Sequence, residues 1–153
     1  MRFLNKIIFI NSAHVRYAEI GLNGNVHLIG TQGVGKSTLL RALLFFYNAD
    51  KQRLGIPKEK KSFDDFYFEQ ANSYIVYEVV RDENAFCVLV NKTAGRAVFR
   101  FIDAPYKKEW LIDEHGEVTA EIPAIRTRLE GAYMSPIVER YEQFRDIIYG
   151  NHQ

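Results

Sequence analysis

The feature that most constrains the fold is a glycine-rich octapeptide that lies between an apolar segment and a mostly apolar helix. Residues 30–37 read GTQGVGKS and match the pattern G-x-x-x-x-G-K-[ST] at every fixed position. Residues 26–29 favour a strand, and residues 36–47 favour a largely buried helix because few of them are polar. A strand, a glycine-rich turn and a helix in this order are typical of a phosphate-binding loop.

Each residue type in this loop suits the binding of phosphate. Glycine permits backbone conformations that let successive N–H groups surround an anion at the start of a helix. Lysine brings a mobile positive charge to the β- and γ-phosphates, Ser37 offers its hydroxyl to Mg²⁺, and Thr38 places a second hydroxyl near the α-phosphate. The alternative is a glycine-rich turn that holds no ligand. The predicted Mg²⁺–nucleoside triphosphate site consists of Gly30, Thr31, Gln32, Gly33, Val34, Gly35, Lys36, Ser37 and Thr38.

The composition limits the class of protein. With 153 residues and a net charge of +1, residues 1–153 are expected to form one domain without an overall basic field. Cys87 lies in the apolar run AFCVLV, which favours a buried thiol over a nucleophile, and one thiol forms no disulfide framework. No segment has the apolar length needed to span a bilayer. We therefore expect a cytoplasmic protein without a membrane partner.

Residues 1–47 are predicted to contain strands, the glycine loop and its helix. The apolar runs that indicate strands lie at 3–10, 17–22 and 26–29. The Asn23-Gly24-Asn25 sequence favours a hairpin turn between the last two of these strands. Residues 48–64 form a long connection that is basic between residues 51 and 61, and long connections in compact domains are often functional.

The second half of the chain is predicted to be a sheet followed by helices. Within residues 65–120, the strands lie at 73–80, 85–91 and 96–103, followed by a hairpin at 108–119. The turns between these strands are short, which makes their pairing antiparallel. Within residues 121–150, a short helix covers 121–129, and a second helix begins at Ser135-Pro136 and runs to Gly150.

Hydrolysis of a nucleotide also requires an acidic residue near Mg²⁺, at the end of a parallel strand. Asp103 ends the apolar run VFRFID, and Asp113 follows the apolar run WLI. Arg100 within the first run favours a half-exposed antiparallel strand, and the second run resembles the arm of a hairpin. The sequence also contains no serine-glycine-glycine motif of the kind that clamps a nucleotide. We therefore expect no catalytic residue in this chain beyond the assistance that Lys36 gives to the phosphates.

The order of these features resembles the N-terminal lobe of the head of SMC-type ATPases. The resemblance rests on an opening strand, the bend NSAHVRY, the segment AEIGLNGNVHLIG, the glycine loop and the helix. That family includes the structural maintenance of chromosomes proteins and the bacterial condensins of the MukB type. The segments KSTLLRALLFFYNADKQRLGI and YEQFRDIIYGN also resemble the condensin-like ATPase subunit of Wadjet-type anti-plasmid systems. The implied fold class is α/β, a P-loop NTPase of the ABC/SMC head type, N-terminal lobe only, with an antiparallel β-meander after the P-loop helix.

The resemblance also implies a function and a set of partners. The chain would bind ATP and Mg²⁺ through its Walker A motif and complete hydrolysis only with its own C-terminal lobe and a second head, as a homodimer. Residues 121–150 would lead towards a coiled coil. DNA and kleisin-type accessory subunits are the other implied partners, in chromosome segregation or condensation, DNA repair or plasmid defence. This chain alone is expected to bind ATP but hardly to hydrolyse it.

Further residues are nominated by their match to the family. The bend after the first strand contacts adenine or ribose in many members, which nominates His14, Arg16 and Tyr17, although an ordinary solvated turn fits them as well. Arg53 lies where relatives place an arginine that senses nucleotide and DNA. Gln143 lies about as far along the chain as the family's Mg²⁺-contacting glutamine, but its surroundings favour a helix surface.

Two other functions fit the glycine loop. One is a self-contained small P-loop kinase or GTPase with Asp103 or Asp113 as the metal acid, which would require parallel strands joined by helical crossovers. The other is a nucleotide-regulated binding module that does not hydrolyse its ligand. The basic residues between 51 and 61 could contact DNA phosphates or form an ordinary solvated surface.

Overall fold

The computed structural model describes residues 2–22, 35–48, 65–119 and 121–138. A five-stranded sheet of order β2-β1-β3-β4-β5 forms its centre, and all four strand pairings are antiparallel. The strands are β1 (Arg2–Ser12), β2 (Val15–Gly21), β3 (Tyr74–Arg81), β4 (Asn84–Thr93) and β5 (Arg96–Ile102). The sheet is accompanied by helix α1 (Lys36–Asn48), a 3₁₀ helix (Lys108–Trp110) and helix α2 (Ile122–Arg128).

Both faces of the sheet are covered, because apolar residues occur at consecutive positions in its central strands. Successive side chains of a strand point to opposite faces, so Phe9 and Tyr77 face α1 while Ile8 and Val76 face the other side. On the first face, the Tyr77 hydroxyl donates a hydrogen bond to the carbonyl of Ala42 at 2.8 Å. The second face is covered by the 3₁₀ helix, the hairpin after it and α2, through Trp110, Leu111, Ile125, Leu129 and Met134.

Tight turns determine the antiparallel pairing of consecutive strands. Ser12 pairs with Val15 and Thr93 pairs with Arg96, so two residues make each of these turns. Both residues have positive φ in the turn after β1, at 55° and 62°, and in the turn after β4, at 52° and 81°. Two consecutive residues with positive φ form the hairpin turn whose twist matches that of the flanking strands.

The predicted fold class, an α/β P-loop NTPase of the ABC/SMC head type, is wrong. The described residues form an antiparallel sheet with few helices, and no two neighbouring strands pair in parallel among them. The chain leaves β2, passes through α1, and returns as β3 on the other side of β1, with which β3 pairs antiparallel. The predicted strand at 26–29 and the turn at 23–25 lie outside the described residues.

Several local predictions in the second half are confirmed. The strands predicted at 73–80, 85–91 and 96–103 correspond to β3, β4 and β5, with antiparallel pairing. The predicted hairpin contains an antiparallel bridge between Ile112 and Val118. The short helix predicted at 121–129 corresponds to α2, and Gly131 follows it with φ of 93°, a conformation that glycine adopts without strain.

Two predictions in this half are wrong. The helix predicted to begin at Ser135 does not begin there, because the N–H groups of Ser135 and Val138 donate to carbonyls of β5 at 2.8 Å each. Pairing with the exposed edge of β5 therefore outweighs the local preference of Ser-Pro for a helix start, and residues 139–150 lie outside the described part. The strand that contains Arg100 is antiparallel as predicted, but it is not half-exposed at Arg100, which is only 9% exposed because the segment around α2 covers its face of the sheet.

Helix α1 is less completely buried than predicted. Its inner face consists of Leu39, Ala42, Leu43, Phe45 and Phe46, all of which are buried, whereas Leu40 is 56% exposed. The helix therefore packs on the sheet with one face. Neither α1 nor α2 is long and apolar enough to cross a membrane.

A buried carboxylate fixes the segment after β5 to the sheet. Glu78 of β3 is 4% exposed, and its Oε1 accepts a hydrogen bond from Asn5 Nδ2 at 2.7 Å. Its Oε2 accepts the backbone N–H of Tyr106 at 2.8 Å. Each carboxylate oxygen therefore has a donor partner, which offsets the free energy that burial of a charge costs.

Replacement of Glu78 by glutamine should lower the free energy of unfolding by about 1–3 kcal/mol. The amide keeps the size of the side chain but turns one acceptor oxygen into a donor that faces another donor. Urea denaturation of the variant beside Glu83→Gln, which changes an exposed carboxylate, would measure this loss. Equal stability of the two variants would contradict the role of the Glu78 hydrogen bonds.

Candidate functional site

The described part of the predicted phosphate site is the first turn of α1. Lys36 and Ser37 are exposed, and Thr38 is half-buried. The N–H of Leu39 donates to the carbonyl of Gly35 at 3.0 Å, which is the first hydrogen bond of the helix. The N–H groups that precede Leu39 have no carbonyl partner within the helix, so their partial positive charge is directed towards the end of the glycine loop. The loop residues Gly30, Thr31, Gln32, Gly33 and Val34 lie outside the described residues.

A buried tyrosine holds this first turn in place. The Tyr67 hydroxyl donates a hydrogen bond to the carbonyl of Thr38 at 2.6 Å, and its side chain is 1% exposed. The Tyr67 ring also stacks on Phe9 of β1 with a centroid distance of 6.3 Å. Burial raises the pKa of the Tyr67 hydroxyl well above its ordinary value, so the hydroxyl remains a donor at any physiological pH.

An open cleft of about 430 Å³ lies beside the turn between β1 and β2. Two of its lining residues, His14 and Arg16, were nominated from the sequence as contacts for a base or ribose. The opposite wall comes from residues 65–72 and from the hairpin after the 3₁₀ helix. Its further lining consists of Asn11, Val15, Phe66, Glu69, Gln70, Asn72, Glu117 and Val118.

The turn that carries His14 is docked on the opposite wall of the cleft. The N–H of Ala13 donates to the carbonyl of Phe66 at 3.1 Å. The His14 ring meets the Phe66 ring edge to face, with centroids 4.9 Å apart, and His14 Nδ1 lies 3.8 Å from Glu69 Oε2. His14 adopts φ of 62°, a left-handed conformation that costs a non-glycine residue roughly 1–2 kcal/mol. These contacts hold the histidine at the rim of the cleft despite that cost.

Arg16 joins the cleft to the hairpin on the other face of the sheet. Its Nη2 donates a hydrogen bond to the carbonyl of Gly116 at 2.9 Å. Glu117 and Val118 of the same hairpin also line the cleft. The cleft therefore lies at one end of the sheet, where elements from both faces meet.

Phe66 and Tyr67 connect the cleft with the start of α1. Phe66 contacts His14, and the next residue along the chain, Tyr67, donates to Thr38. The rings of Phe66 and Tyr67 also contact each other, with centroids 5.0 Å apart. The described part of the phosphate site and the cleft are therefore linked through two consecutive residues.

Tyr17 does not line the cleft. Its ring packs on the face of the sheet opposite α1, where Lys108 Nζ lies 4.5 Å from the ring centroid. Its hydroxyl donates to Glu19 Oε1 and lies 3.0 Å from the Tyr106 hydroxyl, and burial raises the pKa of Tyr17 to about 12. Tyr17 lies outside the cleft because neighbouring residues of a strand face opposite sides, and Arg16, the residue before it in β2, lines the cleft.

The described residues bring neither acidic candidate to the start of α1. Asp103 follows Ile102, which is aligned through β4 and β3 with Lys6 in the middle of β1, six residues before Ser12 at the β1–β2 turn. Asp113 Oδ1 accepts the N–H groups of Glu117 and His115 at 2.8 Å each within its own turn. These backbone donors, of which the N–H of Glu117 has the largest effect, hold the pKa of the Asp113 carboxyl below its usual range.

Sequence reasoning missed one wall of the cleft. Phe66 stands beside the buried Tyr67 and Phe68 in an aromatic run that is typical of a core, yet it is only partly buried and lines the cleft. No sequence pattern identified the other residues of this wall, Glu69, Gln70 and Asn72, because their place in the cleft depends on contact with the distant β1–β2 turn. Arg53 and Gln143 lie outside the described residues. Within the described ranges, no cluster of three histidine, cysteine, aspartate or glutamate side chains could hold a metal ion.

Comparison with known proteins gives a family but no activity. The model of a family described as "Protein of unknown function (DUF3584)" matches residues 8–150, which is most of the chain. No curated protein and no solved structure matches the chain.

Proposed function

We propose that this chain, which belongs to the DUF3584 family, binds Mg²⁺–ATP as the nucleotide-binding part of an SMC-type, DNA-organising ATPase. The proposal is argued from the chain's own residues. The observation that most supports the proposal is the position of α1. The helix begins at Lys36, directly at the end of the sequence GTQGVGKS. A helix start that follows such a loop concentrates backbone donors and a lysine where phosphates bind.

The residues described at the helix start fit the phosphate groups and their metal. Lys36 and Ser37 are exposed, so the ammonium and the hydroxyl are accessible to a ligand. Bound Mg²⁺ supplies positive charge that neutralises the phosphates and takes oxygen ligands, of which a serine hydroxyl is one. Tyr67 fixes the backbone of this turn through Thr38, so its N–H groups are oriented before the ligand arrives.

The cleft beside His14 fits the base and ribose. It presents aromatic edges from His14 and Phe66, the guanidinium of Arg16, and the amides of Gln70 and Asn72. Heterocyclic bases stack on aromatic rings, and the amides offer both donors and acceptors to a base edge. In this proposal the phosphates lie at the start of α1 and the base lies in the cleft.

The wider role rests on the resemblance of residues 3–47 to the N-terminal lobe of SMC-type ATPases. We propose that hydrolysis requires a C-terminal lobe and a second copy of the protein, since neither Asp103 nor Asp113 lies at the start of α1. The assembled ATPase would act on DNA in the cytoplasm with kleisin-type subunits, in chromosome segregation, DNA repair or plasmid defence.

Calorimetric titration of the whole chain with ATP tests the proposal. We expect binding in the presence of Mg²⁺, weaker binding after Mg²⁺ is removed with EDTA, and negligible steady-state hydrolysis of ATP or GTP. Absence of binding would overturn the proposed function. Brisk hydrolysis by the monomer would contradict the requirement for a second copy.

Replacement of Phe66 by leucine tests the position of the base. We expect ATP affinity to fall about fivefold or more, because an aromatic surface for base stacking is lost. Affinity for inorganic tripolyphosphate, which carries no base, should stay unchanged and serves as the matched control. An equal loss for both ligands would mean that Phe66 acts on the phosphate site and does not contact the base.

A further inference from the structure

Among the residues that the structure describes, two carboxylates line the cleft beside the β1–β2 turn, and they differ in what they contact. Glu69 Oε2 lies 3.8 Å from His14 Nδ1, which makes an ion pair when the histidine is protonated. Glu117 is exposed at the cleft, and its carboxylate has no hydrogen-bond or ion-pair partner in the described part of the chain. The acceptor oxygens of Glu117 are therefore available to a ligand in the cleft.

Hydrogen bonds fix the backbone at Glu117. Its N–H donates to Asp113 Oδ1 at 2.8 Å, and its carbonyl accepts the N–H of Asp113 at 2.9 Å. The carbonyl of the preceding residue, Gly116, accepts the hydrogen bond from Arg16 Nη2 that joins this hairpin to β2. These contacts hold Glu117 at the wall of the cleft, so little backbone has to be ordered when its carboxylate meets a ligand.

The charge of Glu117 restricts which part of a nucleotide it can meet. A carboxylate repels the phosphates and, because it is only an acceptor, bonds only to donors. A nucleotide presents two kinds of uncharged donor, the hydroxyls of the ribose and the N–H groups of the base. In the proposed function the base stacks near the Phe66 ring, and the amides of Gln70 and Asn72 serve its polar edge. The ribose hydroxyls are therefore the donors left for Glu117.

We propose that Glu117 accepts hydrogen bonds from the ribose hydroxyls and makes the cleft selective for ribonucleotides over 2′-deoxyribonucleotides. This inference rests on the proposed function, because it requires the base and ribose to lie in the cleft. An acidic side chain recognises the ribose 2′-hydroxyl in the same way in dinucleotide-binding folds. Because Glu117 is exposed, water competes for its oxygens, and we expect a preference of only about fivefold for ATP over 2′-deoxy-ATP.

Calorimetric titration of the whole chain with Mg²⁺–ATP and with Mg²⁺–2′-deoxy-ATP tests this role of Glu117. The deciding quantity is the ratio of the two affinities, because a change in the charge of the protein alters the binding of both nucleotides equally. We expect the unaltered chain to prefer ATP about fivefold, and Glu117→Ala to bind the two nucleotides with nearly equal affinity. Glu117 is exposed, so its replacement should leave the fold intact.

Glu114→Ala is the matched control. It removes an exposed carboxylate from the same hairpin at a position that does not line the cleft, and it should keep the preference for ATP. Equal binding of both nucleotides by the unaltered chain, or a full preference for ATP in Glu117→Ala, would overturn the role of Glu117 and leave the proposed function standing. Failure of both nucleotides to bind the unaltered chain would overturn the proposed function and the role of Glu117 with it.

Discussion

Replacement of Lys36 by alanine is expected to weaken Mg²⁺–ATP binding by about 100-fold or more, the equivalent of about 3 kcal/mol. The reason is the loss of a charge-assisted contact to the β- and γ-phosphates at the end of the GTQGVGKS sequence. The fold should be unaffected because Lys36 is exposed at the first position of α1. Isothermal titration calorimetry measures the affinity, and urea denaturation checks the stability.

The matched control for this variant is Arg41→Ala. It removes a positive charge from the same helix at an exposed position outside the first turn, so a general electrostatic effect would appear in both variants. We expect Arg41→Ala to bind ATP within a few-fold of the unaltered chain. Equal affinity in Lys36→Ala and Arg41→Ala would contradict a phosphate-binding role for the glycine loop.

Replacement of Trp110 by alanine is expected to lower the free energy of unfolding by about 3–5 kcal/mol, the largest loss of stability that we predict. Trp110 is 2% exposed and packs among the apolar residues that join the sheet to α2. Its ring also meets Tyr106 edge to face with centroids 5.9 Å apart. Truncation removes this buried surface and leaves a cavity between the sheet and its cover.

Urea denaturation followed by circular dichroism suits this measurement, because Trp110 is the single tryptophan and its loss removes the fluorescence signal. Tyr133→Ala is the control, since Tyr133 is a large side chain that is 63% exposed. It should change the free energy of unfolding by no more than about 0.5 kcal/mol. A loss of less than about 1 kcal/mol in Trp110→Ala would mean that Trp110 does not anchor the second face.

The proposed functional site was predictable only in part. Lys36 and Ser37 could be identified because a phosphate-binding loop is contiguous in sequence, and the structure starts α1 at that lysine. His14 was nominated by resemblance, and it lies in the cleft. Phe66 could not be nominated, because an aromatic residue in an apolar run reads as core unless the packing of the β1–β2 turn against it is known.

The error in fold class has a physical origin. A resemblance over residues 3–47 concerns a local sequence and does not specify how distant strands pair. The turns after β1 and β4 are short enough to force antiparallel hairpins whatever family the loop resembles. The pairing of β1 with β3 joins partners that are 64 to 79 residues apart in the chain, from Ile10 with Tyr74 to Arg2 with Arg81, and no local pattern encodes it.

The sequence by itself determined the features that depend on neighbouring residues: the strands, from runs of apolar residues; the tight turns after β3 and β4, from the short connections between those runs; and the start of α1 after the glycine loop. Only the tertiary structure decided that residues 134–138 lie extended beside β5, that Arg100 is buried, and that Phe66 meets His14. These outcomes depend on contacts between residues far apart in the chain. Their free energies are the sum of many packing and hydrogen-bonding terms, which outweigh the weak preference of any short segment.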